Sequence, residues 1–408
     1  MGLSAVFVMP LAASAAPVLG ADYRADLDWL VDQIRGRYAY LPERHVDLGR
    51  LHEIYAPAAG AAANRNAFLG VLEAMLGEFH DHHITINTNT DRSPQLVPTG
   101  ADIWVGMRGG SAWIEQVRPL SPAEAAGVCA GDELVSVAGQ SIAEFLSVHR
   151  SSALTALDPE ADDFALRTAL AGNHVDRRVF IVRHPNGVEQ ALSLPPFRAP
   201  TTETLLSTQT FSSGFGAIRI ENSLGQSDLV AAFDETLAAQ RHARGLILDL
   251  RNTPSGGNTD VAEPLMGRFI KGRHGYQRVL DAQAGKALPS TPWVKQVQGR
   301  GPFTFNAPLV VLCSRWTGSM GEGMTIGLEG MGRSKIVGTR MAGLCGGTEA
   351  FTLPKSGLTV HLPTEKLFHV DGTPREHWAP PNLVDLSTAS GSDPVLARGL
   401  EVLAATAR

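Results

Sequence analysis

The sequence predicts a multidomain α/β protein, and three observations carry that expectation. At 408 residues the chain is too long for one compact core, so two or three domains are the natural reading. From about residue 200 onward, short apolar runs alternate with stretches of helical spacing, the pattern of an α/β layer with a partly parallel sheet. Ahead of that, residues 22–80 carry helical spacing, and a segment from about 96 to 196 reads as strands and turns.

The N-terminal region rests on Leu27, Leu30, Ile34 and Tyr38, and again on Phe68, Leu72, Met75 and Phe79. A Pro- and Ala-rich hinge is expected between these two helical stretches. The second runs into His80-Asp81-His82-His83-Ile84-Thr85-Ile86, whose end alternates like a strand. In the middle segment Trp113–Val117 reads as a strand. Ser121-Pro122-Ala123-Glu124 opens a capped short helix that stops at Gly127. Gly131–Val137 is a turn and strand closed at Gly139, and Val179–Arg183 with the tail after Asn186-Gly187 reads as a hairpin. Beyond 200 the expected order is strand 217–220, helix 227–242, strand 245–250, helix 259–270, strand 309–313, helix 320–331 and strand 336–338.

Composition is that of an ordinary globular chain, 44% hydrophobic and 19% charged. The formal net charge of -6 and the lack of any Lys/Arg-rich run argue against a nucleic-acid partner, which needs a concentrated positive surface. Every lysine lies after residue 270. The first residues, MGLSAVFVMPLAASAAP, are apolar and end in Ala13-Ser14-Ala15, an A-x-A pattern, although no Lys or Arg precedes it. They predict a signal peptide over 1–16 and an exported protein, periplasmic or extracellular. No later segment runs long enough without charge to span a membrane. Three cysteines, Cys129, Cys313 and Cys345, leave at least one thiol unpaired; a Cys313–Cys345 bridge and buried free thiols both stay open.

The strongest candidate for chemistry is Thr317-Gly318-Ser319-Met320-Gly321-Glu322-Gly323, between a buried strand and a helix. A serine there stands at the carboxyl end of a sheet strand and at a helix N-terminus, where free N–H groups favour developing negative charge. Thr317 occupies the first glycine position of a G-x-S-x-G elbow, so that motif is absent. Helix capping is the simpler role for Ser319. In Asp249-Leu250-Arg251-Asn252-Thr253-Pro254-Ser255-Gly256-Gly257-Asn258, a strand ends in a glycine-paired turn able to aim N–H groups at an oxyanion. His80 and His82 fall on one face of an extended segment, but spacing fixes no third ligand, so no metal site is expected.

Taken together, these strings resemble the C-terminal processing (tail-specific) and tricorn-type serine peptidases. LILDLRNTPSGGN is similar to their strand and glycine turn, and PLVVLCSRWTGSMGEGM to their nucleophile segment. GRSKIVGTRMAGLCGG resembles the strand and glycine-rich loop that follow, and DGTPREHWAPPNLV the closing motif. SPAEAAGVCAGDELVSVAGQSI resembles their PDZ-like module, and LGEFHDHHITI an earlier histidine element. The resemblance covers most of residues 65–390, in the family's order. It implies an N-terminal helical region over 17–95, a PDZ-like domain over 96–197 and an α/β catalytic domain of crotonase-like ββα type over 198–408. It also implies a serine endopeptidase without a cofactor. Its partners would be unfolded or extended polypeptides, bound by their C-termini at the PDZ-like module through strand addition.

Site residues follow unevenly. The lysine of the family's Ser–Lys branch falls on Leu344. The tricorn-type branch uses a histidine and a late glutamate, and these fall on His83 and Glu376. The resemblance therefore implies Ser319 as nucleophile, His83 as base and Glu376 as the group that orients it, closer to the Ser–His branch. His82 replaces a serine of that branch and stands as an alternative base. The oxyanion donors fall on Gly257 and Met320, with Gly256 as fallback. The same fold also resembles the retinoid-binding repeats of the vertebrate eye, which leaves open an inactive binder of apolar ligands or peptides. An esterase for small acyl groups and a PDZ-led scaffold are further alternatives.

Overall fold

The computed structural model describes residues 22–156, 158–200, 204–281, 292–389 and 391–407. The expected signal peptide lies outside them. No described helix is long and apolar enough to cross a membrane.

Three helices open the described chain: α1 (Tyr23–Arg37), α2 (Leu48–Ala61) and α3 (Arg65–Gly77). Each starts on a side-chain cap, from Asp22, Asp47 and Asn64, which takes up otherwise unpaired N–H groups. The expected hinge is a correction: it is mostly helix α2, with Pro57 inside it. Proline breaks one helical bond, but the two N–H bonds at Asp47 and the burial of Leu51, Ala56 and Ala59 outweigh that loss. After α3 a tight turn leads to β1 (Thr85–Ile86).

The middle unit contains β2 (Ile103–Arg108), β3 (Ser111–Val117), α4 (Pro122–Ala125), β4 (Glu133–Val137), β5 (Gln140–Ser141), α5 (Ile142–His149), α6 (Pro159–Ala171), β6 (Arg178–Arg183) and β7 (Glu189–Leu194). Its antiparallel sheet runs β2-β3-β4-β6-β7, with β5 on β4, so β2 is an edge strand. Ser121 caps α4 by accepting the Glu124 N–H, as the sequence led one to expect. Ile103, Val105, Ile114, Leu134, Phe180 and Val182 bury one face beneath α5 and α6. Arg178 and Asp102 form a fully buried ion pair inside this unit, with Arg178 Nη2 3.1 Å from Asp102 Oδ2. Removing one member strands the other charge in the core. Asp102→Ala is therefore expected to destabilise this unit by about 3–5 kcal/mol in urea unfolding; a loss within 1 kcal/mol would contradict the account.

The remaining chain forms two sheets. Its elements are β8 (Leu206–Thr210), β9 (Gly216–Ile220), α7 (Asp228–Ala239), β10 (Leu246–Asp249), α8 (Thr259–Gly267), β11 (Arg273–Asp281), β12 (Trp293–Gln298) and β13 (Leu309–Cys313). They continue with α9 (Met320–Gly330), β14 (Lys335–Gly338), β15 (Gly347–Thr352), β16 (Thr359–Phe368), β17 (Asn382–Leu383) and α10 (Pro394–Thr406). The first sheet, β17-β14-β13-β10-β9-β8, is parallel except for β8. Residues of β10 and β13 are buried on both faces, which is why they read as continuous apolar runs. One face packs on α7, α8 and α9 through Phe233, Leu265 and Ile326, the other on α10 through Val395 and Leu403.

The second sheet, β1-β16-β11-β12 with β15 on β16, is antiparallel and was not expected from sequence. It carries the N-terminal helices on Phe351, Leu353, Val360 and Leu362. Asp26 of α1 accepts the N–H groups of Lys355 and Ser356 at 2.8 and 2.7 Å, fastening α1 to the β15–β16 turn. Strand β1 pairs with β16 in the register Thr85↔His361 and Ile86↔Val360. That pairing pins the histidine turn just before β1 to the C-terminal part of the chain.

Candidate active site

Two neighbouring parallel strands, β10 and β13, end side by side, and the turns that leave them are bonded together. The Thr253 N–H donates to Trp316 O at 3.1 Å, and the Gly318 N–H donates to Thr253 O at 3.2 Å. The hydroxyls of Thr253 and Thr317 both donate to Leu250 O at 2.9 Å. Below them Arg251 is held at 2.7 Å from both Asp249 and Asp393. This scaffold ends on Ser319, whose backbone sits at φ 48 and ψ -111. Non-glycine residues avoid that region at a cost of about 1–3 kcal/mol, so the surroundings must enforce it.

Gly256 presses directly against the serine. A Cβ there would lie 2.5 Å from Ser319 Cβ and 3.0 Å from its Oγ, at a φ of 63. Gly257, at φ 151, would drive a Cβ to 2.2 Å from the Leu224 carbonyl carbon. Both positions exclude any side chain. The Gly256 N–H is used within the turn, donating to Thr253 O at 3.1 Å. Among the described residues, neither the Gly257 N–H nor the Met320 N–H has an acceptor. Of the three expected oxyanion donors, these two are open.

His83 reaches this point from the other end of the chain. Asp81 accepts the His83 N–H at 2.9 Å and the Tyr38 hydroxyl at 2.9 Å, which fixes the turn against α1. The imidazole is half-buried, with Nε2 at 3.0 Å from Ser319 Oγ and Nδ1 at 2.5 Å from Cys345 O. A carbonyl oxygen only accepts, so in the neutral ring Nδ1 carries the hydrogen and Nε2 turns its lone pair to the serine. Burial, and after it the nearby Arg375, lowers the His83 pKa to about 4, so the ring is neutral at pH 7.

The other expected residues fall elsewhere. His82 stacks on Phe164, ring centroids 4.4 Å apart, and burial lowers its pKa well below the ordinary value. His80 meets the same Phe164 edge-on. Among the described residues no group of three or more His, Cys, Asp or Glu side chains is arranged to hold a metal ion. Glu376 makes no hydrogen bond to His83; it lines a cavity of about 560 Å³ with Tyr40, Arg44 and Cys345. The residue that does touch His83 Nδ1 is Cys345, through its main chain. Leu344, at the lysine position of the Ser–Lys branch, is buried among Val97, Ala101, Trp104 and Ala342. Cys313 and Cys345 do not bridge: Arg44 Nη2 donates to Cys345 Sγ at 3.0 Å, and Cys313 Sγ lies 3.4 Å from Thr339 O.

Two charged residues at the site were not singled out from sequence. Glu322, fully buried, accepts N–H groups from Ser319 at 2.8 Å, Gly343 at 2.9 Å and Leu344 at 3.2 Å. Burial pushes its pKa up to about 7, against the pull of Arg375 and these donors. Arg375, in the 3-10 turn Arg375–His377, donates to the carbonyls of Leu344 at 2.8 Å and Gly346 at 2.7 Å. The signal for Glu322 was present, since Ser319-Met320-Gly321-Glu322 has the spacing of a capping box. Nothing local marks Arg375.

The middle unit docks on the two turns that carry Ser319 and the Gly256–Gly257 pair. Trp316 Nε1 donates to Ala101 O at 2.8 Å, Arg315 Nε to Glu115 at 3.1 Å, and Arg118 Nη2 to Asn252 at 3.0 Å.

Residues 214–382 match peptidase family S41, and residues 113–160 match the PDZ domain. No curated protein matches the chain. Among solved structures it is similar to mature CPAF, at 16% identity and a TM-score of 0.61 over 94% of this chain and 95% of that one. It is also similar to the photosystem II D1 C-terminal processing protease, at 18% identity and a TM-score of 0.55 over 92% and 96%. A peptidase-like protein from Parabacteroides merdae aligns at 14% identity and a TM-score of 0.55 over 94% and 97%. At such identities the likeness establishes the fold. Residues 214–382 thus form a domain of peptidase family S41, a family of serine peptidases, with a PDZ domain ahead of it.

Proposed function

We propose that the chain hydrolyses peptide bonds of unfolded or extended polypeptides by a Ser–His mechanism. The observation that carries this reading is the 3.0 Å approach of His83 Nε2 to Ser319 Oγ, with Nδ1 committed to a carbonyl. Ser319 Oγ attacks the peptide carbonyl as its proton passes to Nε2. The oxyanion forms against the Gly257 and Met320 N–H groups, the two open donors. The imidazolium then protonates the leaving amine, and water repeats the sequence in reverse to release the acyl group. The Cys345 carbonyl holds the ring, the task expected of Glu376. Lys335, the nearest lysine after the serine, opens β14 with its side chain exposed, and Leu344 fills the dyad position, which argues against a lysine base. The apolar leader supports export, so the substrates are expected outside the cytoplasm.

The test is release of short peptides from a dye-quenched, unfolded protein. The wild-type chain is expected to cleave it and Ser319→Ala not to; a folded wild-type chain that leaves it intact would sink the reading.

The PDZ domain is the proposed receptor for substrate ends, by addition of an extended peptide to the β2 edge. That edge is engaged by the domain's own helix. Asp163 of α6 accepts the Met107 N–H at 2.7 Å, and Arg167 Nε donates to Val105 O at 2.9 Å. A peptide must displace both side chains. Replacing Asp163 and Arg167 together by alanine is therefore expected to tighten binding of a peptide with a free C-terminal carboxylate by about tenfold, roughly 1.4 kcal/mol. Fluorescence anisotropy checks this, and weaker binding in the double variant would place the peptide elsewhere.

A further inference from the structure

We propose that Glu322 is the positioning residue of this site, tying the backbone of the nucleophile to the loop that aims the base. The inference rests on the Ser–His reading and deepens it. One Glu322 oxygen accepts the N–H groups of Ser319 and Leu344, and the other accepts that of Gly343. Helix capping explains the first bond, since Glu322 lies three residues into α9. It does not explain the other two, which come from residues 21 and 22 positions downstream. Those bonds fix the loop immediately before Cys345, and Cys345 O is the acceptor of His83 Nδ1. Arg375 braces the same loop from the other side through the carbonyls of Leu344 and Gly346. One carboxylate thus sets both halves of the pair: the strained Ser319 backbone, and the carbonyl that orients the imidazole.

The protonation state of Glu322 matters to this arrangement. Its hydrogen-bond partners are all donors. A protonated carboxyl would turn an O–H towards that shell and lose at least one of the three bonds. The titratable and charged groups facing the carboxylate are Arg375, from the 3-10 turn, and the Cys313 thiol, from β13. His83 stands beyond Ser319. With the Glu322 pKa at about 7 and that of His83 at about 4, the site has two separable acid limbs, and the upper one belongs to Glu322. Below about 7 the loop loosens although His83 is still neutral.

The experiment is the rate of phosphonylation by a fluorophosphonate probe from pH 4 to 9, in the wild-type chain and Glu322→Gln, with circular dichroism confirming the fold. The wild-type rate is expected to fall about tenfold per pH unit below the upper limb. Glu322→Gln is expected to react about 10²-fold more slowly at pH 8, the cost of a misplacement near 1 Å, and to show only the lower limb. A wild-type limb near 4, or a glutamine variant with unchanged rate and profile, overturns the inference. If the glutamine variant does not fold, Glu322→Asp decides. Its shorter arm keeps the charge, so a titrating limb with about tenfold slower labelling supports the proposal, and wild-type speed overturns it. A wild-type chain unlabelled at every pH overturns the Ser–His reading and this inference with it. A chain that labels but is indifferent to Glu322 overturns the inference alone.

Discussion

Ser319→Ala is expected to lower peptide hydrolysis by about 10⁴- to 10⁶-fold, the loss seen when a nucleophile acting as part of a unit is deleted. The substitution removes one oxygen from a site whose other parts stay in place. Glu322 still accepts the N–H of residue 319, and Gly256 packs against the Cβ that alanine retains. The variant should therefore fold as the wild type does and keep its unfolding midpoint within a few degrees. Retained hydrolysis in a folded Ser319→Ala chain would assign the chemistry to another group. Gly256→Ala separates geometry from chemistry. Its added methyl meets the Ser319 Cβ, so activity should fall while Ser319 Oγ remains.

His83→Ala is expected to have the second-largest effect, about 10⁴-fold or more at pH 8. Without the imidazole the serine proton loses its acceptor at Nε2, and the nearby Glu322 carboxylate is turned to backbone N–H groups instead. The sign of the pH dependence follows from the lowered pKa. A base whose pKa lies at about 4 is unprotonated throughout the neutral range, so its own limb appears only in acid. His82→Ala is the matched control. Its ring is stacked on Phe164 away from Ser319, so it is expected to change kcat/KM by less than tenfold. A larger loss at His82 than at His83 would reverse the assignment.

Much of the peptidase domain was legible because its central strands are buried on both faces. Leu309–Cys313 is an unbroken apolar run, and its predicted and observed limits agree. The polar turn residues 314–319 then mark where the strand must end. The second sheet was not legible for the opposite reason. Strand β16 interrupts its apolar positions with His361, Pro363, Glu365 and Lys366, and its partners are distant in sequence. Pro57 misled the reading of α2, where packing and an Asp47 cap override a local breaker.

At the site, residue types were legible and geometry was not. Ser319 stood out by its place between strand and helix, but its φ of 48 is enforced by contacts with the Gly256 turn and the Glu322 carboxylate. His83 was reached through a resemblance, since 236 residues of chain separate it from the serine and no spacing rule spans that distance. The Glu376 carboxylate was expected beside His83, and the group found at Nδ1 is the main-chain carbonyl of Cys345, to which sequence is silent. A carboxylate able to do the same work at one remove, Glu322, was visible only as a helix cap.

The most direct test of the Ser–His reading is mass-spectrometric mapping of the purified chain after fluorophosphonate labelling. The account predicts one phosphonyl group, on the peptide containing Ser319, absent from Ser319→Ala and strongly slowed in His83→Ala. A folded wild-type chain without that adduct, or with the adduct on a different serine, would contradict it.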